Sequence, residues 1–108
     1  LIILINGGTT SAAGIAAGLL KEYTDGVFIG EETYGYAGIS NGVRQISIRG
    51  EHTETAIYLP LLHAEYTVDE HMQKRGVVPD YQISNAVHDI LNNNDVVLEF
   101  AERYVTEN

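Results

Sequence analysis

The order of apolar and polar residues at the start of the chain predicts a strand, a helix and a second strand. Residues 1–5 form an uninterrupted apolar run, which is typical of a β-strand buried on both faces. Residues 12–23 repeat apolar positions at helical spacing, and the pair Asp25-Gly26 ends that pattern. Residues 27–29 are apolar again and begin another strand. These elements predict a βαβ crossover, a connection that is almost always right-handed.

The helix predicted over residues 12–23 has one apolar face. Ile15 and Leu19 fall on that face because they are four residues apart. Lys21 and Glu22 fall on another side of the helix, so we expect both of them to face water.

The middle of the chain has a different character. Residues 31–42 are rich in glycine, and this density predicts an irregular, exposed loop of the kind that often lines a cleft. Residues 43–49 alternate weakly between apolar and polar positions, and residues 55–62 are their natural pairing partner across residues 50–54. We therefore expect a β-hairpin in this region.

The last part of the chain is helical by pattern. Residues 85–92 and 95–106 each have helical periodicity, and three consecutive asparagines at 92–94 separate them. Asp95 is predicted to be the N-cap of the second helix, because its side chain can accept from the first free N–H groups. With the βαβ unit at the start, the chain is predicted to be an α/β protein.

Composition and charge narrow the class of protein. The chain has 108 residues, of which 44% are hydrophobic, enough for one domain with its own core and too many for wholesale disorder. The formal net charge of −9 argues against binding to nucleic acid or to an anionic membrane. No run approaches the roughly 20 apolar residues that a membrane-spanning helix needs. The absence of cysteine excludes disulfides and a cysteine nucleophile.

Ser11 stands where the first strand turns into the first helix, and this position allows three roles. A serine there, or a threonine just before it, can cap the helix by accepting from a backbone N–H two or three residues on. The preceding glycine pair can form an anion-binding turn, although its spacing matches neither GxGxxG nor a phosphate loop. The third role is a nucleophile, with the N–H of Ala12 stabilising an oxyanion, although the GxSxG elbow is absent.

Other groups of reactive side chains lack the spacing that marks a site. The four histidines have neither an HExxH motif nor an i, i+4 pair, so we predict no metal site. His63 and His71 are either structural or close to Ser11, if their segment folds over the turn. Glu31 and Glu32 are adjacent on an extended segment and point to opposite faces, so they do not form the carboxylate pair of a glycosidase.

Four short blocks of the sequence carry a resemblance to a known family. They are NGGTTSAAG at residues 6–14, IGEETYG at 29–35, GVVPD at 76–80 and DVVLEFA at 95–101. In the same order they resemble N-x-G-[ST]-x-S-[AS]-x-E, V-G-E-x-T-[FY]-G, G-[IV]-x-P-D and D-x-x-L-x-x-A. These are blocks of the carboxyl-terminal processing, or tail-specific, serine peptidases, a family that includes the tricorn-type core. The match places the family's nucleophile at Ser11.

The general base of the family has no counterpart in this sequence. Serine/lysine members carry their lysine directly after the second block, where this chain has Tyr36. A tyrosine with a pKa of about 10 is mostly protonated at neutral pH and is a poor proton acceptor. Tricorn-type members use an upstream histidine and a downstream glutamate, whose position is Gln73 here. In addition, Gly14 replaces the glutamate of the first block, and a Ser/His enzyme would take its histidine from sequence preceding Leu1.

The resemblance implies a serine endopeptidase that forms an acyl-enzyme on a polypeptide substrate. Ser11 is then the nucleophile, the N–H of Ala12 belongs to the oxyanion hole, and Glu31 is the structural glutamate of the family. The implied fold has a ClpP/crotonase-like βαβ core with an added β-hairpin and C-terminal helices. We expect residues 1–108 to be a single domain, the C-terminal portion of a larger catalytic domain. Family members usually work outside the cytoplasm, in the periplasm or at the cell surface.

Two other functions stay open at this point. A non-catalytic module that binds a peptide or another ligand on the same scaffold is consistent with Tyr36, because a fold does not fix a function. A crotonase-type acyl-thioester enzyme would use paired backbone N–H groups to stabilise an enolate. No cofactor is predicted for either the peptidase or the binding module, and the sequence does not determine the oligomeric state.

Overall fold

The computed structural model describes residues 1–34, 38–40, 45–65 and 75–107 of the chain. In chain order, the elements are β1 (Ile2–Ile5), α1 (Ser11–Tyr23), β2 (Val27–Gly30), β3 (Gly38–Ser40), β4 (Gln45–Arg49), β5 (Ala56–Pro60), β6 (His63–Glu65), β7 (Tyr81–Gln82), α2 (Val87–Leu91) and α3 (Val96–Glu107). None of the helices in these ranges combines the length and the apolar character needed to cross a membrane.

The first three elements form the βαβ crossover expected from the sequence. β1 and β2 pair as parallel strands, with Ile2 opposite Val27. β7 adds a third parallel strand beside β2, with Ile29 opposite Tyr81. The strand order β1-β2-β7 brings the carboxyl ends of all three strands to one edge of the sheet, where open parallel sheets commonly bind ligands.

A small core lies between α1 and the sheet. Phe28 and Ile29 of β2 are fully buried, and Phe28 clusters with Ile5, Ala17 and Val77. The helix contributes a small side chain to this cluster, so its backbone can approach the strands closely. The helix that begins at Ser11 therefore packs against the buried core of the described residues.

The segment after β2 interlocks with the segment before β7. Thr33 donates its N–H to the carbonyl oxygen of Val77 at 3.1 Å, and Thr33 Oγ1 accepts the N–H of Val77 at 2.8 Å. A Cβ atom added at Gly76 would lie only 1.8 Å from the carbonyl oxygen of Thr33. Only glycine can be placed there, so packing against the IGEETYG block explains the glycine of the GVVPD block.

Gly30 marks the point where the chain leaves β2. Its φ is +126°, a conformation that side chains other than glycine rarely adopt. An added Cβ atom would lie 2.0 Å from the carbonyl oxygen of Ile5. The next residue, Glu31, donates its N–H to that same oxygen at 2.9 Å. This glycine therefore keeps the end of β2 tightly against the end of β1.

Two antiparallel strand pairs lie between β2 and β7 along the chain. β4 pairs with β5, with Ile48 opposite Ile57, which confirms the predicted hairpin. β3 pairs with β6. The prediction of an irregular loop over residues 31–42 is therefore wrong for Gly38–Ser40. The pairing partner of this segment is distant in the sequence, and glycine-rich local composition does not indicate such a partner.

The C-terminal helices confirm the helical pattern predicted for the end of the chain. Asp95 Oδ1 accepts the N–H groups of Val97 and Leu98 at 3.2 and 3.1 Å, so Asp95 is the N-cap of α3 as predicted. The ring of Phe100 on α3 lies 5.3 Å from that of Tyr81 on β7, measured between ring centres. This aromatic contact holds α3 against the sheet.

Candidate active site

The turn between β1 and α1 is held by hydrogen bonds of Asn6. Asn6 Oδ1 accepts the N–H of Gly8 at 2.8 Å, and the carbonyl oxygen of Asn6 accepts the N–H of Thr9 at 2.9 Å. Thr9 Oγ1 in turn accepts the N–H of Asn6 at 3.1 Å. These bonds define a tight turn that directs the chain toward Ser11.

Ser11 is the first residue of α1, and its backbone conformation is strained. Its φ is +53°, in the left-handed region that residues other than glycine seldom occupy. The residue is exposed to solvent, and no hydrogen bond among the described residues involves its hydroxyl. Strand-to-helix turns that present a nucleophile commonly hold an exposed serine in a strained backbone conformation of this kind.

The interpretation of Ser11 as a helix cap is wrong for this structure. Thr10 occupies the N-cap position, and its side chain makes no capping hydrogen bond. The hydroxyl of Thr9 bonds to Asn6 and is used within the turn. The helix therefore begins without a side-chain cap.

The start of α1 also has free backbone donors. The N–H groups of Ala13 and Gly14 donate to the carbonyl oxygen of Thr10 at 3.1 and 3.2 Å. The N–H groups of Ser11 and Ala12, one step earlier, have no acceptor among the described residues. Together with the positive end of the helix dipole, they form a place where a negative charge is stabilised.

An ion pair anchors the other end of α1 to the sheet. Lys21 Nζ lies 2.5 Å from Asp80 Oδ1 and 4.8 Å from the ring centre of Phe28. Asp80 Oδ2 accepts the N–H of Phe28 at 2.8 Å. Burial raises the pKa of the Asp80 carboxyl, but the Lys21 ammonium and the Phe28 N–H outweigh it, and the pKa falls below its ordinary value. Lys21 is therefore only partly exposed and has an ion-pair partner that the prediction of a water-facing side chain did not include, whereas Glu22 is exposed as predicted.

A second ion pair joins the segment after β2 to the segment before β7. Arg75 Nε donates to Glu32 Oε1 at 2.9 Å, and Arg75 Nη2 donates to Glu32 Oε2 at 2.5 Å. Glu32 Oε1 also accepts the N–H of Gly76 at 3.1 Å. The hydrogen bonds from Arg75 lower the pKa of Glu32, and burial opposes them. Glu32 thus has a structural role that the sequence did not indicate, whereas the Glu31 carboxylate, which was expected to be structural, makes no hydrogen bond or ion pair among the described residues.

A cleft of about 290 Å³ opens where the three parallel strands end. Asn6 and Glu31 line it just after β1 and β2, and Ile83 lines it just after β7. The facing wall comes from the C-terminal helices, with Ile90 of α2 and Val97 of α3. Since Asn6 belongs both to this cleft and to the turn, the cleft adjoins the segment that carries Ser11.

Several residues considered from the sequence lie outside the part that the structure describes. They are Tyr36, His71 and Gln73. His63 lies in β6. No group of three or more histidine, aspartate or glutamate side chains in the described part could hold a metal ion.

Comparison with known proteins shows to which family this chain belongs. The model of peptidase family S41 matches residues 1–83. The chain belongs to peptidase family S41. Among solved structures, the photosystem II D1 C-terminal processing protease matches with 29% identity and a TM-score of 0.48, over 77% of this chain and 20% of that chain. This S41 chain thus spans about a fifth of that protein's length. No curated protein matches it.

The S41 match confirms the family predicted from the sequence blocks, and it spans the first three of them. Sequence reasoning did not find the roles of Asp80, Glu32 and Arg75 in this S41 chain. Asp80 lies in the GVVPD block and Glu32 in the IGEETYG block. The blocks therefore marked both positions, but they did not indicate which residues these carboxylates contact. Arg75 precedes the GVVPD block, and nothing in the local sequence indicates that it pairs with Glu32.

Proposed function

We propose that this chain carries the nucleophile of a serine-type peptidase and that the nucleophile is Ser11. The observation that carries the proposal is the φ of +53° at an exposed serine that begins a helix. A strained backbone of this kind costs on the order of 1 kcal/mol or more and is typical of sites where geometry serves function. Membership of a peptidase family supports the same assignment.

In the proposed reaction, Ser11 Oγ attacks the carbonyl carbon of a peptide bond while a base removes its proton. The N–H of Ala12 donates to the oxyanion that forms, and one such donor is worth roughly 3 kcal/mol of barrier. The carbon–nitrogen bond then breaks, the proton passes from the base to the leaving amine, and an ester of Ser11 remains. Water hydrolyses this ester and restores the hydroxyl.

The base in this proposal comes from outside the described residues. Tyr36 stands at the position of the lysine in the serine/lysine members, and a tyrosine hydroxyl is a poor acceptor at neutral pH. A histidine from sequence preceding Leu1, as in the tricorn-type members, would complete the site. In this proposal residues 1–108 are a single domain, the C-terminal portion of a larger catalytic domain.

The proposal extends to the fold and the setting of the reaction. The parallel strands β1 and β2, joined by α1, are consistent with a ClpP/crotonase-like core. An endopeptidase with this core would act on an extended polypeptide. The family resemblance supports a location outside the cytoplasm, in the periplasm or at the cell surface.

A second candidate function is a module that binds a peptide or another ligand without cleaving it. The observation that favours it is Tyr36 in place of the family's lysine. In that case the turn and the cleft would hold the ligand, while Ser11 would stay unactivated.

Labelling with a fluorophosphonate separates the two functions. We expect the probe to modify Ser11 in the intact protein, and we expect Ser11→Ala to abolish both labelling and peptidase activity, the latter by about a thousand-fold or more. Thr10→Ala is the matched control, because it removes a neighbouring exposed hydroxyl that makes no capping bond. Full peptidase activity in Ser11→Ala would exclude Ser11 as the nucleophile. A wild-type protein that binds peptide and never reacts would favour the binding module.

A further inference from the structure

The cleft at the strand ends has a lining that suggests what it holds. We propose that it binds a segment of the polypeptide substrate in which an apolar side chain stands next to a basic one, lysine or arginine. The inference rests on the proposed peptidase function, because that function makes the occupant a substrate.

The position of the cleft relates it to the proposed nucleophile. Asn6 lines the cleft, and its backbone and side chain hold the turn through Gly8 and Thr9. A chain lying in the cleft would therefore pass beside the segment that leads to Ser11. The carboxyl ends of parallel strands are also the usual place for ligands in open α/β sheets.

The walls of the cleft are suited to an apolar side chain. Ile5 at its base is 3% exposed, whereas Leu4 and Ile90 on its walls stay 42% and 64% exposed. Another apolar group that enters the cavity removes these apolar surfaces from water, and this burial lowers the free energy of the complex. The volume of about 290 Å³ is near the lower limit for ligand pockets, so it accommodates one or two side chains rather than a cofactor.

The charge of the cleft is suited to a basic neighbour. Glu31 and Asp95 line it, and lysine, arginine and histidine are absent from its described lining. The adjacent Glu32 accepts hydrogen bonds from Nε and Nη2 of Arg75. The Glu31 carboxylate has no such partner among the described residues. In this proposal a basic side chain bound in the cleft is the partner of Glu31. The formal charge of −9 on the chain also favours the approach of a basic segment.

Peptide binding to the intact Ser11→Ala protein tests the inference without turnover. The probes are fluorescein-labelled hexapeptides of alanine with a central Lys-Leu, Gln-Leu or Glu-Leu pair, and fluorescence anisotropy measures their dissociation constants. We expect the Lys-Leu peptide to bind about three- to five-fold more tightly than the Gln-Leu peptide at low salt, as for an exposed ion pair. This preference should shrink at about 0.5 M salt, because mobile ions screen an exposed charge.

Two pairs of variants locate the effect. Glu31→Gln should reduce the preference for Lys-Leu over Gln-Leu to less than about two-fold, since it removes the facing charge. Glu51→Gln removes an equal charge from the exposed hairpin tip and should leave the preference intact. Ile90→Ser should weaken all three peptides alike, while Val87→Ser, on the same helix, outside the cleft lining and 74% exposed, should not.

The outcomes separate this inference from the proposed function. Equal binding of the three peptides, or equal effects of Glu31→Gln and Glu51→Gln, would overturn the cleft assignment even if Ser11 reacts with fluorophosphonate. Absence of binding of all three peptides would also overturn it. If the peptide preference is as expected but Ser11 is never labelled, the cleft assignment is supported and the proposed peptidase function is contradicted.

Discussion

The sheet core and the outer hairpin of this chain are stabilised in different ways. In the core, Phe28 and Ile29 are 0% exposed, and they meet residues that are distant in the sequence. In the hairpin of β4 and β5, Ile48 and Ile57 lie opposite each other and still remain 53% and 54% exposed. The core is held by burial and the hairpin by its backbone ladder. The comparison teaches that Ser11, the proposed nucleophile, begins the helix that packs on the buried core and not the exposed hairpin, as expected for a site that needs precise placement.

Truncation of a core side chain should give the largest effect and is the direct test of this contrast. Phe28→Ala is expected to lower the free energy of unfolding by about 3–5 kcal/mol, because it leaves a cavity in a fully buried position. Tyr58→Ala in the hairpin, where the side chain is about half exposed, should cost less than about 1 kcal/mol. Urea denaturation measures both. Equal losses of unfolding free energy for the two substitutions would contradict the view that burial stabilises the core more than the hairpin.

The interlock between Thr33 and Gly76 should give the next largest effect. Gly76→Ala is expected to cost about 2–3 kcal/mol, because the new methyl group would push against the Thr33 carbonyl oxygen and the backbone must shift. Gly7→Ala is the matched control, since an added Cβ there meets nothing within 4 Å, and it should change stability by no more than about 0.5 kcal/mol. Thermal unfolding of the two variants compares them. A tolerated Gly76→Ala would show that this contact is not needed for the core.

The ion pair of Lys21 and Asp80 should contribute less and should depend on pH. Asp80→Asn is expected to cost about 1 kcal/mol at pH 7, a value reduced by the partial exposure of the pair. The pKa of Asp80 is lowered in the folded state, so its contribution is complete above its unfolded pKa of about 4 and disappears as the pH falls through the lower folded value.

Unfolding curves of the wild type and Asp80→Asn at several pH values test this sign. The two proteins should differ at neutral pH and converge in acid, because protonated aspartate resembles asparagine. Asp25→Asn, an exposed position without a hydrogen-bond or ion-pair partner in the described ranges, is the control. A difference that grows as the pH falls would mean that Asp80 does not stabilise the fold as a carboxylate.

The parts of the fold that the sequence predicted are those set by neighbouring residues. The strand over residues 1–5, the helix that follows it and the outer hairpin all depend on local periodicity and turns. The role of Asp95 was also predictable, because an N-cap bonds only to the residues just after it. The family blocks directed attention to Ser11, whose location at the turn follows from the strand and the helix on either side.

The parts that could not be predicted depend on partners far along the chain. Lys21 and Asp80 are 59 residues apart, and Glu32 and Arg75 are 43 residues apart. Local patterning assigned Lys21 to the solvent because periodicity gives the side of a helix and not what approaches that side. The strained φ of Ser11 was equally hidden, since a serine at the start of a helix ordinarily suggests a cap.

Relief of the strain at Ser11 should change the free energy of unfolding least, but the sign of this change is informative. Ser11→Gly is expected to stabilise the protein by about 0.5–1 kcal/mol, because glycine adopts the left-handed region without steric cost. Thr10→Gly, at a φ of −130°, relieves nothing and should destabilise slightly through chain entropy. Opposite signs in chemical denaturation, together with loss of fluorophosphonate labelling only in Ser11→Gly, would mean that the core stores strain where the hydroxyl is presented. If both variants were destabilised, the conformation of Ser11 would be an ordinary helix start, and its strain would no longer support a catalytic role.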